Sequence, residues 1–314
     1  MKNSICLILP YFGRFHSYFE RWLRSVAFND SISFLIFTND RTPYEYPQNV
    51  HVEYCDFMEF AQRFQDYFDF EVSLKTPYKL CDFRPAYGTV LQEYLKDYMF
   101  WGHCDCDLIF GDIRTFFSNE ILDVHDKILS RGHLTLYRNI DGVNNFFMRE
   151  SVGVNAWKKV FSSPTSFAYD EWSAGTGVSE LWSRIMPEKV YDEIIFDDIN
   201  PMKGHFSSSQ KKDEYKDFFV FHYSNGSLYR IFFNLKTRSI EKEATCYVHF
   251  QKRFFIDNAS SKDEFIIVPN SFEEYKTINK EDLLKWGQHR IFYSQYYKIR
   301  YANLRRKIKG FLYK

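Results

Sequence analysis

In the stretch FWGHCDCDLIFGDI (residues 100–113), an apolar run gives out at Trp101, and Asp105 and Asp107 then follow with one residue between them. Withdrawing carboxylates from water costs several kcal/mol unless a partner compensates them. Two acids flanking one residue at the end of a strand can converge on a single divalent cation. Hard oxygen ligands of this kind suit Mg²⁺ or Mn²⁺, whose octahedral shells are completed by water and phosphate oxygens. The same two residues also admit a plainer reading, in which one caps the following turn and the other pairs with a Lys or Arg. His103, Cys104 and Cys106 could open a zinc site, but no CxxC pair and no second Cys/His cluster stands at structural-zinc spacing. Cys6, Cys55, Cys81 and Cys246 are scattered and spell no secreted disulfide framework.

The elements that must hold these acids can be read from hydrophobic period. Residues 4–9 (SICLIL) form a buried strand followed by a Pro-Tyr-Phe-Gly loop, and Phe15, Phe19, Trp22, Leu23 and Val26 then recur at helical spacing. SFLIFT (33–38) is a second strand ending in Asn39-Asp40, and VHVEY (50–54) is a third. Phe57, Ala61, Phe64 and Phe68 mark a helix, as do Tyr87, Leu91, Tyr94, Leu95 and Tyr98 over 87–98. The strand into Asp105 follows, with HLTLYR (133–138) beyond it. Alternating strands and helices predict an α/β fold with a mostly parallel central sheet flanked by helices, and ligands in such sheets bind beyond the carboxyl ends of the strands. Residues 203–217 read as a polar loop. After it, FFVFHY-SNGS-LYRIFF is a C-terminal antiparallel hairpin turning at Asn225-Gly226, and TCYVHF (245–250) is its expected third strand.

Composition narrows the classes. Aromatic residues make up 20% of the 314-residue chain against 26% charged, which is a globular and not a disordered balance. No apolar run approaches the length of a membrane span, and Pro10 and Gly13 interrupt the N-terminal apolar stretch before it could serve as a signal peptide, so a cytoplasmic protein is expected. Net charge is zero but unevenly spread: residues 289–314 hold eight Lys or Arg and no acid. No Gly-rich GxxxxGK[ST] loop is present, which counts against a P-loop enzyme.

Asp105-Cys106-Asp107 resembles the DxD motif of the GT-A fold glycosyltransferases, Rossmann-related enzymes that use nucleotide-sugar donors. KLCDFRPAYG (79–88), FWGHCDCDLIFGDI and YVHFQKR (247–253) more narrowly resemble bacterial glycosyltransferase-like proteins of surface-polysaccharide gene clusters. The likeness covers roughly residues 1–255. It implies a GT-A-like catalytic domain over 1–255, with a nucleotide-sugar half at about 1–140 and an acceptor half at about 141–255. Residues 256–314 form a C-terminal extension with a basic aromatic helix.

By that resemblance Asp107 is the direct metal ligand, while Asp105 bonds the ribose or helps the metal. The cation, Mn²⁺ or Mg²⁺, bridges the two phosphates of a nucleotide diphosphate-sugar, with a UDP-sugar the leading donor, and stabilises the charge that grows on the departing diphosphate. His249 is the candidate ligand from farther along the chain, with Lys252 on the diphosphate; the alternative is a histidine that simply sits in its strand. His222 has similar credentials, but its place before the Asn-Gly turn favours a structural role. Lys79 and Arg84 would neutralise phosphate charge and Asp82 would hold a sugar hydroxyl, or the three form an ordinary helix start with Pro85 in its first turn. Tyr11 would stack on the base, with Asn39 and Asp40 around base and ribose, or these are surface turns. In FAYDEWSAGTGVSELW (167–182), Asp170 or Glu171 is placed to take the acceptor's proton, or to cap the next helix; Asp197-Asp198 is a rival pair.

The leading expectation is therefore a metal-dependent glycosyltransferase acting on a glycan or lipid-linked acceptor in surface polysaccharide synthesis. Its basic tail at 289–314 would dock on an anionic membrane at the inner face of the cell membrane, or pack on the domain with a solvated basic face. A metal-dependent phosphohydrolase or nucleotidyltransferase is the second reading, and a non-catalytic membrane-associated carbohydrate-binding protein the third. No nucleic-acid-binding module is recognisable, so no nucleic-acid partner is expected.

Overall fold

The structure, a computed structural model, describes all residues except 1, 151–155, 172–174, 211–215, 252, 289–292, 295, 302–303 and 306–314. In chain order the strands begin with β1 (Ile5–Tyr11), β2 (Ile32–Thr38), β3 (Val50–Tyr54), β4 (Phe100–Cys104), β5 (Leu108–Phe110), β6 (Lys127–Arg131), β7 (Leu134–Arg138) and β8 (Val190–Tyr191). They continue with β9 (Asp197–Asp198), β10 (Lys216–Ser224), β11 (Ser227–Asn234), β12 (Ser239–Ala244), β13 (Tyr247–His249), β14 (Ile256–Asp257), β15 (Glu264–Val268) and β16 (Ser271–Glu274). The chain divides into two compact units. One comprises Met1–His16, Asn29–Cys106 and Phe117–Glu193; the other comprises Ser17–Phe28, Asp107–Phe116 and Ile194–Lys314.

The first unit is built on a seven-stranded sheet in the order β3-β2-β1-β4-β7-β6-β8. β3, β2, β1 and β4 run parallel, and β7 is antiparallel to both β4 and β6. All five residues of β4 are buried, as expected of a central strand covered on both faces. Cys6, Ile8, Leu35, Phe37 and Trp101 pack with Phe60, Ala61 and Phe64 of helix Phe57–Tyr67. That helix starts at a capping box, in which Asp56 accepts the Glu59 N–H and Glu59 accepts the Asp56 N–H.

Two expectations for this unit change. The helix expected over 87–98 is broken into the short turns Tyr87–Val90 and Gln92–Leu95, and the segment before it is also short, Leu80–Phe83. Pro85 has no N–H to continue the ladder from Leu80, and Gly88 permits a contact that no other residue could make, since a Cβ there would lie 2.3 Å from the Trp101 indole. β6 escapes the hydrophobic pattern because Lys127, Ser130 and Arg131 interrupt it, and Leu129 takes a left-handed φ of 64° where its register with β7 shifts.

In the second unit a six-stranded sheet runs β12-β11-β10-β15-β16-β14, and a separate three-stranded sheet runs β5-β13-β9. The hairpin turns at Asn225-Gly226 as expected, but its third strand is β12; β13 belongs to the smaller sheet instead. An aromatic core of Tyr18, Phe221, Phe250, Phe255, Phe265 and Phe272 fills the unit. Helix Phe19–Ala27 begins four residues later than the apolar spacing suggests. Its buried Arg21 pairs with Asp257, bonds the carbonyls of Ala259 and Ser261, and lies 4.3 Å from the centre of the Phe265 ring. Most of the basic tail expected to be helical, 289–314, lies outside the described residues, and no helix among the described ones is long and apolar enough to cross a membrane.

Candidate active site

Within the first unit the strand order reverses between β1 and β4, the place where open α/β sheets bind ligands. The loop after β1 is tied to the end of β2: Asn39 Oδ1 accepts the Gly13 N–H at 2.8 Å, and Asp40 Oδ2 accepts the Phe15 N–H at 2.9 Å. Asn39 and Asp40 thus spend side-chain oxygens on ordering the loop. This tie also explains the late start of helix Phe19–Ala27, because Phe15 and His16 belong to the loop. Tyr11 stacks on Phe15, ring centres 4.7 Å apart.

Beyond β4, the Asp105 N–H bonds the His133 carbonyl at 3.1 Å, and the Asp105 carboxylate pairs with Nη2 of Arg84. Nη1 of the same guanidinium donates to Asp170 Oδ2 at 2.8 Å. One cation therefore serves two acids. Glu171 turns to the β6–β7 connection, where its Oε1 accepts the Gly132 N–H at 2.5 Å. Gly132 lets these side chains come close, because a Cβ would stand 3.0 Å from both Arg84 Nη1 and Glu171 Oε1 and would push them back slightly. Asp170 is 4% exposed. Burial drives its pKa up, Arg84 pulls it back, the Glu171 charge raises it again, and the balance leaves it at about 7.

Lys79 and Asp82 lie deeper. Both are buried, paired at 2.6 Å, and all three Lys79 donors are spent inside the protein, on Asp82 and on the carbonyls of Val160 and Thr165. Asp82 in turn accepts the Phe167 N–H at 2.9 Å and the Tyr169 N–H at 2.8 Å. The pair fastens the segment that leads into Asp170, and with no donor to spare Lys79 is not available to a phosphate.

The second unit gathers a different set. Asp107 immediately precedes β5, and its carbonyl accepts the Phe250 N–H at 3.0 Å. β5 pairs with β13 so that Leu108 faces His249, and β13 pairs in parallel with β9 so that His249 faces Asp198. Strand pairing thus sets Asp198 opposite His249, and Asp107, one residue before β5, reaches the same imidazole from the strand's end. His249 Nε2 lies 3.4 Å from Asp107 Oδ1, and Nδ1 lies 2.8 Å from Asp198 Oδ1. Burial alone would strip the imidazole of its proton, but Asp107 and Asp198 outweigh it and push the pKa up to about 10.

The donor set fits a divalent cation. Neighbouring ligand atoms on an octahedral ion with bonds of about 2.1 Å stand about 3 Å apart, close to the separation of Asp107 Oδ1 and His249 Nε2. His222 stands elsewhere in this unit, on β10, with Nε2 3.2 Å from Glu264 and its ring stacked on Tyr275 at 4.5 Å. Arg253 is buried and bonds Asn270 and the Asn200 carbonyl, while Lys252 lies outside the described residues. The partnership of Asp198 with His249 has no signature in the sequence, because a two-residue strand carries no period.

The chain belongs to a family described as "Family of unknown function (DUF6625)", whose model matches residues 7–276. No curated protein matches it. Among solved structures it is similar to mouse xyloside xylosyltransferase 1 in its apo form, at 9% identity over 63% of this chain and 87% of that one, with a TM-score of 0.35. It is also similar to the galactosyltransferase LgtC in complex with donor and acceptor sugar analogs, at 10% identity over 62% of this chain and 75% of that one, with a TM-score of 0.33.

Proposed function

We propose that this member of a family of unknown function is a metal-dependent glycosyltransferase. It would move a sugar from a nucleoside diphosphate-sugar, with UDP as the leading nucleotide, to a glycan or lipid-linked acceptor in bacterial surface-polysaccharide synthesis. The observation that carries the reading is the convergence of Asp107 Oδ1 and His249 Nε2, two good ligand atoms 3.4 Å apart, one just before β5 and one on its partner β13, with Asp107 the second acid of a DxD triplet.

In this reading Asp107 and His249 hold Mn²⁺ or Mg²⁺, and Asp105 helps the metal or bonds the ribose. The bound cation supplies positive charge to the departing diphosphate. Asp170, buried and with a pKa near neutrality, takes the proton from the acceptor hydroxyl. Arg84 holds Asp170 in place, and Glu171 holds the Gly132 backbone beside it. Tyr11 and the loop tied by Asn39 and Asp40 contribute to the nucleoside pocket, and Lys252 contributes charge to the diphosphate. The tail at 289–314 docks on the anionic inner face of the membrane, where each Lys or Arg is worth about 1 kcal/mol. The exposure of Tyr297, Tyr301 and Leu304 supports that placement.

Calorimetric titration with a panel of nucleoside diphosphates, with and without Mn²⁺, tests the proposal on the wild type and on Asp107→Ala. Binding of one nucleotide that needs Mn²⁺ and is lost in the variant is the expected result. Binding indifferent to metal and to the substitution, or none at all, overturns it.

A further inference from the structure

We infer that Asp198, backed by Gln251, is the positioning residue that presets His249 for a metal ion; this rests on the metal reading above and deepens it. An imidazole that offers Nε2 to a cation must keep its proton on Nδ1, and the group that accepts from Nδ1 decides both tautomer and ring orientation. Asp198 Oδ1 occupies that place, 2.8 Å from Nδ1.

The arrangement is built into the backbone. Parallel pairing sets Asp198 opposite His249, and the Ile199 N–H bonds the His249 carbonyl at 2.9 Å. The Asp198 carbonyl accepts the Ser209 N–H at 2.7 Å, which fixes β9 from its other side. Asp197, the preceding residue, is fully buried with its Oδ1 3.6 Å from Nη1 of the buried Arg230, so the short strand is anchored through both of its residues.

Gln251 adds a second hold. Its backbone takes a left-handed φ of 57° two residues past the end of β13, and the turn returns its amide so that Nε2 donates to Asp198 Oδ1 at 2.9 Å. That oxygen therefore carries both the His249 and the Gln251 bonds. Asp198 acts on the cation through the imidazole and not as a ligand.

The test uses Mn²⁺ alone, with free ion followed by electron paramagnetic resonance in the full-length protein, so neither donor nor turnover is needed. Wild type should bind, and His249→Ala and Asp107→Ala should not. Asp198→Ala should bind 10–100-fold more weakly, in the range set by loss of a partner behind a metal-bound histidine. Asp198→Asn, which keeps an acceptor oxygen and the same shape, should recover most of that loss, and Gln251→Ala should lose the least. Should Asp198→Ala bind as wild type does while His249→Ala fails, the positioning role is overturned and the metal site stands. Loss in Asp198→Asn as complete as in His249→Ala also overturns it, making Asp198 a ligand. Mn²⁺ binding unaffected by His249→Ala removes the metal reading and this inference together.

Discussion

Two clusters in this molecule share a plan and differ in one residue type. In the first unit Arg84 lies between Asp105 and Asp170; in the second, His249 lies between Asp107 and Asp198. The acids of the DxD triplet are divided between them, one to each. A guanidinium keeps its charge at every working pH and has no lone pair for a metal, whereas an imidazole can give up a proton and take a cation in its place. The Arg84 cluster is thus a fixed counter-charge that tunes an acid, and the His249 cluster is an exchangeable one that can be handed to an ion.

If that contrast holds, the two clusters fail in different ways. His249→Ala should lower kcat/KM by about 10³-fold or more, equivalent to about 4 kcal/mol of transition-state stabilisation, and should lower the urea midpoint as well, because Asp107 and Asp198 lose the cation they share. Donor turnover and unfolding measured on one preparation check both halves. Retention of activity would break the comparison on the side of the second unit. Arg84→Met should cost about 2 kcal/mol of folding stability with a smaller loss of turnover, because the buried Asp170 and the part-exposed Asp105 lose their common partner. Urea denaturation that matches wild type would show that Asp105 and Asp170 do not depend on Arg84, and the comparison would fail on the other side.

What the sequence disclosed depends on how local each feature is. β1 and β2 are mostly apolar runs and β3 and β7 are alternating ones, so all four read directly as strands, and the Asn-Gly turn announces its hairpin. The end of β4 is equally plain, since the charge begins where burial stops. Features set by distant pairing were hidden. Lys79 and Asp82 look like exposed charges at a helix start, yet partners more than 80 residues away bury them. β13 looks like an extension of the hairpin, and only its pairing with β5 and β9 sends it to another sheet. Asp198 reads from the sequence only as one of a rival pair of acids, with nothing local that points to His249. Backbone partners chosen over long range decide which charges are buried, and no window of neighbouring residues contains that choice.

The smallest expected effect concerns the acid that Arg84 tunes. Asp170 sits at about 7 because burial and the Glu171 charge together outweigh Arg84. If Asp170 is the base proposed above, it must be ionised, so kcat/KM should rise with pH through about 7 and level off above it. Stability should move the other way. Its folded pKa lies above the unfolded value near 4, so the native state binds more protons across that window and this group destabilises the protein as pH rises from about 4 to 7. Glu171→Gln separates the contributions. Glutamine keeps an oxygen for the Gly132 N–H and removes only the negative charge, so the Asp170 pKa should fall and the activity limb shift to lower pH, by less than one unit. A pH profile of kcat/KM for the variant beside wild type reads this shift. No shift would mean that burial alone sets the acid, while a shift to higher pH would take the limb away from Asp170 and assign it to another group.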